Sequence, residues 1–370
     1  MIVNSNFDSG NIEVNSISES EINLSIRKDN NFDFLQWFYF SFSGEKNKAY
    51  NFNISNAGKT SYTKGWENYN VCASYDRKNW FRVKSSFNGE SLTFSHKIEK
   101  NTVYYAYFAP YTYERHLDLV ADLTESSLTE HIILGKTIDG RNIDLIKVGK
   151  ENESKKNIWI IARQHPGETM AEWFMEGLAK KLLDTNDPVS RELLNKFVFY
   201  LVPNMNPDGS FRGNLRTNTS GANLNREWQN PSIEKSPEVF YVRKKMVETG
   251  MEMFFDIHGD EGLPYNFVAC CEGIPSYNEV MAKKEADFIK TFMSVSPDFQ
   301  NTYGYEKDKP SQANLTIATP NIGESFGVLS LTLEMPFKDN ANAPDEKQGW
   351  SPEKCIKLGE SMLTAILLNS

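Results

Sequence analysis

His165 and Glu168 stand three residues apart in "ARQHPGETMAEW" (162–173), split by Pro166 and Gly167, and His258 stands in "DIHGDEG". A catalytic zinc site takes three protein ligands and keeps one position for water, and two His with one Glu is one such set. The chain has only five histidines, so the choice is narrow. Residues three apart at a turn entering a helix can point the same way, and Pro-Gly suits the tight turn between them. Gly259 can turn the chain away after His258. Either histidine alone reads as a turn cap or a buried structural imidazole. Taken together with Glu168, they read as a metal site.

A hydrolytic metal site also needs a base. Glu334 ends the apolar run "LSLTLEMPF", where a carboxylate is expensive to bury without a partner or a task, and it is the natural candidate. The stretch "NPDGSFRGNLRTNTSGANLNREW" (206–228) is rich in Gly and Asn and carries Arg212, Arg216 and Arg226. One arginine could hold a tetrahedral oxyanion. Another, paired with an Asn, could grip a free carboxylate bidentately. The residues alone do not say which does which.

These groups need a common scaffold. "KNIWIIA", "FVFYLVPN", "MEMFFDIHG" and "VLSLTLEMP" read as buried strands. The helical patterns "AEWFMEGLAKKLLD", "SPEVFYVRKKMVETG", "EVMAKKEADFIKTFMSV" and "PEKCIKLGESMLTAILLN" alternate with them. Apolar strands alternating with helices predict an α/β domain with a mixed, largely parallel sheet. His165 and Glu168 follow the first strand, the Asn204–Asp208 segment follows the second, His258 ends the third and Glu334 ends the fourth. Ligands of open α/β sheets bind outside the carboxyl ends of the strands, so these groups are expected at one edge. "HIILGKTIDGRNIDLIKVG" reads as a hairpin around Asp139-Gly140.

Residues 1–115 have a different texture. Short alternating aromatic runs such as "LQWFYFSFSG", "AYNFNIS" and "TVYYAYFAPY" are broken by turn residues, which predicts an all-β antiparallel sandwich domain. A helical period begins at "YTYERHLDLVADL", so the catalytic domain is expected over 116–370. His96, His116 and His131 read as structural. The net charge of −9 and pI near 5.3 argue against a nucleic-acid or anionic-membrane partner, which would require a basic face. No apolar run reaches bilayer length and no secretory signal pattern is visible. The four cysteines form no CxxC pattern, so a cytoplasmic location is expected.

The motifs "RQHPGETMAEW", "NPDGSFRGNLR", "GANLNREW", "DIHG" and "LTLEMPF", in this order, resemble the zinc metallocarboxypeptidases, specifically their cytosolic carboxypeptidase-like branch. "YYAYFAPYTYERHLDLV" is similar to the junction at which a β-sandwich precedes the catalytic domain in that branch. The resemblance implies Zn2+ held by His165, Glu168 and His258, and Glu334 as general base. It implies Arg216 as the oxyanion arginine, with Asn225 and Arg226 binding the terminal carboxylate of a peptide or protein. Many relatives carry Asp where this chain has Asn223. A tyrosine that closes over the substrate would be Tyr303 or Tyr305. The pocket for the C-terminal side chain would come from about residues 311–330, which hold no Lys or Arg but contain Glu324. A neutral C-terminal residue is therefore expected to be preferred over Glu or Asp. Two other functions fit part of the pattern: a zinc amidohydrolase of the aspartoacylase or desuccinylase type acting on N-acyl amino acids, and a non-catalytic protein that binds C-termini.

Overall fold

The computed structural model describes residues 1–370. Ten strands occupy the first 106 residues: β1 (Ile2–Asn4), β2 (Glu13–Ser18), β3 (Glu21–Ser25), β4 (Tyr39–Ser43), β5 (Ala49–Ile54), β6 (Val71–Ser74), β7 (Trp80–Val83), β8 (Ser85–Phe87), β9 (Leu92–Lys97) and β10 (Thr102–Ala106). They form two five-stranded sheets, β1-β4-β10-β6-β7 and β2-β3-β5-β9-β8. Alternation decides which side chains lie between the sheets. In β5, Tyr50, Phe52 and Ile54 are buried while Ala49 and Asn51 face water, and the Phe52 ring stacks on Phe94 of β9 at 4.7 Å. The expected antiparallel sandwich needs one amendment, because β3 and β5 pair in parallel. Both put their apolar residues on the inner face, and a parallel pair serves that burial equally well. The opening strands β1–β3 are too polar to stand out by periodicity.

The remainder begins with α1 (Tyr113–Thr124) and the antiparallel hairpin β11 (Thr129–Lys136) and β12 (Asn142–Val148). Next come β13 (Lys156–Ala162), α2 (Met170–Leu182), α3 (Pro188–Lys196), β14 (Phe197–Val202), α4 (Pro207–Arg212), α5 (Pro237–Thr249), β15 (Met253–Asp260) and β16 (Phe267–Ala269). The chain closes with α6 (Glu279–Val295), α7 (Ala318–Phe326), β17 (Leu329–Pro336) and α8 (Pro352–Leu368). The sheet runs β11-β12-β14-β13-β15-β17-β16. Its central pairs β14/β13, β13/β15 and β15/β17 are parallel, and the outer pairs are antiparallel. The sheet is thus the expected mixed one, with the parallel part confined to its middle.

β14 and β17 are buried along their whole length, as strands covered on both faces must be. On one face α2 and α8 lie so close that a Cβ on Gly177 would fall 2.3 Å from the Ile356 carbonyl oxygen, and one on Gly359 would fall 2.3 Å from that of Phe174. Those two glycines set the helix spacing that covers the sheet. A single apolar cluster runs from the sandwich into this layer. At the junction Tyr107 stacks on Phe337 at 4.5 Å, and Arg82 donates to the carbonyls of Phe337 and Trp350 at 2.9 and 3.0 Å. His116 is fully buried between Glu172 (2.6 Å) and Asp144 (3.1 Å). His131 meets Asp144 at 2.7 Å. Both histidines belong to the framework.

Candidate active site

β13 ends at Ala162, and Arg163 follows with φ of +61°. The buried Arg163 guanidinium donates to the carbonyls of Pro166 (2.9 Å) and Tyr111 (2.6 Å) and to Glu172 Oε2 (2.7 Å). It thereby fixes the turn that presents His165. Gly167 donates its N–H to the Leu215 carbonyl at 2.8 Å, and a Cβ at Gly167 would lie 2.9 Å from that same oxygen. Only glycine lets this turn approach the loop that carries Arg216.

His165, Glu168 and His258 are 3 %, 2 % and 1 % exposed, and their donor atoms lie within 4.8 Å of one another. His165 Nδ1 is 2.6 Å from Glu168 Oε1, and His258 Nδ1 is 2.7 Å from Glu168 Oε2. The outward nitrogens are engaged as well: His165 Nε2 is 3.0 Å from Asn223 Oδ1, and His258 Nε2 is 2.9 Å from Asp256 Oδ2. Because those acceptors take the Nε2–H, both rings turn their Nδ1 lone pairs inward, as ligating imidazoles do. Gln164 extends the frame, donating to Asp256 Oδ2 at 2.6 Å and accepting from Trp228 Nε1 at 2.8 Å.

Burial and the Arg216 cation hold the His165 imidazole down at about 3, so it is neutral, as a ligand must be. Burial acts the same way on His258, but Asp256 and Glu168 outweigh it and raise that imidazole. Cation binding at Nδ1 would release the proton. Two inward Nδ1 atoms and one carboxylate, dry and held from behind, fit a zinc ion.

Glu334 is the direct register partner of His258 across β15/β17. It is 7 % exposed, and its Oε2 is buried with no hydrogen-bond partner. Burial raises its carboxyl well above the usual range; His258 opposes the shift, while Glu168, Asp260 and Glu261 reinforce it. The Tyr305 hydroxyl lies 2.6 Å from Asp260 Oδ2 and 3.3 Å from Glu334 Oε1. Tyr303 instead stacks on Tyr265 at 4.3 Å. Of the two tyrosines, only Tyr305 reaches the carboxylate.

The three loop arginines separate. Arg212 pairs with Asp139 through Nε (2.7 Å) and Nη2 (2.9 Å). Arg216 is half-buried, with its guanidinium 5.6 Å from the Phe34 ring and 5.4 Å from the Tyr62 ring. Arg226 is exposed and donates to the Asn225 carbonyl at 2.6 Å. Partial burial and then the Arg216 cation lower the Arg226 guanidinium, so the two positive charges sense each other. Asn225 is buried, and its Oδ1 accepts from the Ala318 N–H at 2.8 Å, which leaves Nδ2 free to donate. Asp256, Gln164 and Asp29 do not emerge from the motifs. Asp256 does carry a signal, since it lies two residues before His258 and so on the same face of a strand.

Residues 113–348 match the family described as zinc carboxypeptidase, and residues 3–108 match the cytosolic carboxypeptidase N-terminal domain. This chain belongs to the zinc carboxypeptidase family and is a hydrolase. A metallo-carboxypeptidase from Burkholderia cenocepacia is 48% identical, with a TM-score of 0.98 over 100% of this chain and 98% of that one. A metallo-carboxypeptidase from Pseudomonas aeruginosa, solved with (2-guanidinoethylmercapto)succinic acid, is 42% identical, with a TM-score of 0.97 over 100% and 98%. Human cytosolic carboxypeptidase 1 is 30% identical over 65% of this chain, which spans 23% of that protein's length. These matches favour the carboxypeptidase over the amidohydrolase and the non-catalytic binder. No helix is long and apolar enough to cross a membrane.

Proposed function

We propose that this protein is a zinc-dependent exopeptidase that removes residues from the C-termini of peptides or proteins. One observation carries the reading. The His165–Glu168–His258 set adjoins Glu334 through strand register, and it adjoins Arg216, Asn225 and Arg226 through the Gly167–Leu215 and His165–Asn223 contacts.

Zinc held by His165, Glu168 and His258 supplies Lewis acidity toward water and the scissile carbonyl. Glu334 takes the proton of the attacking water, and its unpartnered Oε2 is free to do so. The same carboxyl then hands that proton to the departing amine. Arg216 donates to the oxygen on which negative charge develops. The Arg226 guanidinium and the free Asn225 amide grip the substrate's terminal carboxylate, and that grip confines cleavage to the last bond. In this reading residues 1–115 form the sandwich and residues 116–370 the catalytic part. Four unpaired cysteines support a reducing, cytoplasmic setting.

The test is mass spectrometry of a peptide library presented with free and with amidated C-termini. Release of single residues from the free peptides alone is the expected result. Internal cleavage, or equal cleavage of both sets, would refute the exopeptidase reading.

A further inference from the structure

Asp29 lies between β3 and β4 in the sandwich, is 5 % exposed, and faces no cation within ion-pair distance. Its Oδ1 accepts from the Leu215 N–H at 2.5 Å. Its Oδ2 accepts from the Arg216 N–H at 2.8 Å, the Thr217 N–H at 2.9 Å and the Thr217 hydroxyl at 3.0 Å. Three successive backbone N–H groups converging on one carboxylate form an anion-binding nest. Here the anion is a side chain more than 180 residues distant in sequence. Burying a carboxylate is costly unless donors meet it, and these donors all belong to the segment that carries Arg216.

The clamp has a second jaw. Leu215 is held through its N–H by Asp29 and through its carbonyl by Gly167, two residues from His165. The Asp29 N–H donates to the Phe34 carbonyl at 2.7 Å, closing the turn that sets Phe34 beside the Arg216 guanidinium. Tyr62, also from the sandwich, supplies the other ring. Neighbouring contacts pin the same loop, with Asn11 donating to the Gly213 carbonyl and Asn31 to the Thr219 carbonyl, each at 2.8 Å. An oxyanion donor contributes to rate only when it is aimed before the charge appears.

We infer that Asp29 is a positioning residue for Arg216, and that through it the N-terminal sandwich forms part of the catalytic apparatus. The inference rests on the proposed oxyanion role of Arg216. Asp29→Asn keeps the shape but sets an amide N–H₂ against backbone N–H groups at one end, so the nest cannot stay closed.

The experiment is a double-mutant cycle in kcat, with zinc content, KM and melting temperature measured on every variant. Removing one oxyanion donor costs about 10²–10³-fold in kcat. Asp29→Asn is expected to lose about 10–100-fold of that range, with zinc and KM little changed. Asp29→Asn/Arg216→Ala should be no slower than Arg216→Ala alone. Multiplying losses in the double variant, or a loss confined to melting temperature, would overturn the inference. Near-native kcat in Arg216→Ala would remove the oxyanion role itself, and that single variant tells the two failures apart. If Asp29→Asn does not fold, Phe34→Leu takes its place at an only half-buried site. It should slow kcat about 3–10-fold, as loss of a cation–π contact does. That loss should vanish in the Arg216→Ala background; an unchanged kcat in Phe34→Leu itself would count against the clamp.

Discussion

His258 and Glu334 are register partners on adjacent parallel strands. Backbone hydrogen bonding alone therefore sets the second histidine beside the free carboxylate, about 5 Å apart in backbone. Neither residue needs a flexible loop to find the other, which is how precise sites are best built.

The first consequence concerns the metal. His165→Ala should lose zinc and activity together, because one inward Nδ1 disappears while Glu168 and His258 remain. Elemental analysis of the purified variant decides it. Stoichiometric zinc in His165→Ala would show that the ligands are assigned wrongly.

Glu334→Gln should keep zinc and bind substrate but scarcely turn over. The amide is nearly isosteric yet cannot accept a proton, so the loss should fall on kcat, by about 10²–10⁴-fold. Steady-state kinetics on a single peptide suffices, and turnover close to the parent would exclude Glu334 as the base.

Arg226→Ala should raise KM for peptides with a free C-terminus far more than it lowers kcat, since a guanidinium–carboxylate grip acts in ground state and transition state alike. Amidated peptides, poor from the start, should be indifferent to the substitution. Equal effects on the two peptide types would break the assignment.

Selectivity follows from the wall beside Glu334. Thr332, two residues earlier on the same strand face, is 2.7 Å from the Thr319 hydroxyl. Two charges of this region are engaged: Glu324 accepts from Ser276 at 2.7 Å, and Lys307 pairs with Glu272 at 2.6 Å. Residues 311–330 themselves offer no cation to a substrate carboxylate, and Arg243, which reaches the segment, donates to Asn321 Oδ1 at 3.4 Å. Neutral C-terminal residues should leave faster than Glu or Asp in the peptide library; fastest release of Glu would mean that another basic residue lines the pocket.

The buried His116 sets a pH dependence of stability. Burial lowers its pKa, but Glu172 and Asp144 outweigh burial and raise it to about 9. The unfolded value is about 6.5, so between these limits the folded state binds more protons than the unfolded one. The stabilisation is full below about pH 6.5 and is lost as pH rises through 9. His116→Gln should therefore destabilise by about 1–3 kcal/mol near pH 6, because Glu172 then keeps only Arg163 and Asp144 only His131 as charged partners, and by much less at pH 10. Urea midpoints at the two pH values would show the difference, and a pH-independent loss would contradict the charged pair.

The elements and the candidate site residues are legible in the sequence. Apolar strands read directly from "KNIWIIA" or "FVFYLVPN", because burial on both faces leaves a continuous hydrophobic run. His165, Glu168, His258 and Glu334 stood out because polar residues ending such runs are costly without a purpose. Tertiary structure decided everything that depends on strand order and on contacts between distant segments. It placed β15 beside β17, chose Tyr305 over Tyr303 at the carboxylate, and sent Arg212 to Asp139. It also brought Asp256 and Asn223 behind the two imidazoles and Asp29 onto the Arg216 loop. Local periodicity records whether a residue is buried but not which remote neighbour buries it, since that neighbour is set by sheet register and by how the sandwich packs on the catalytic fold.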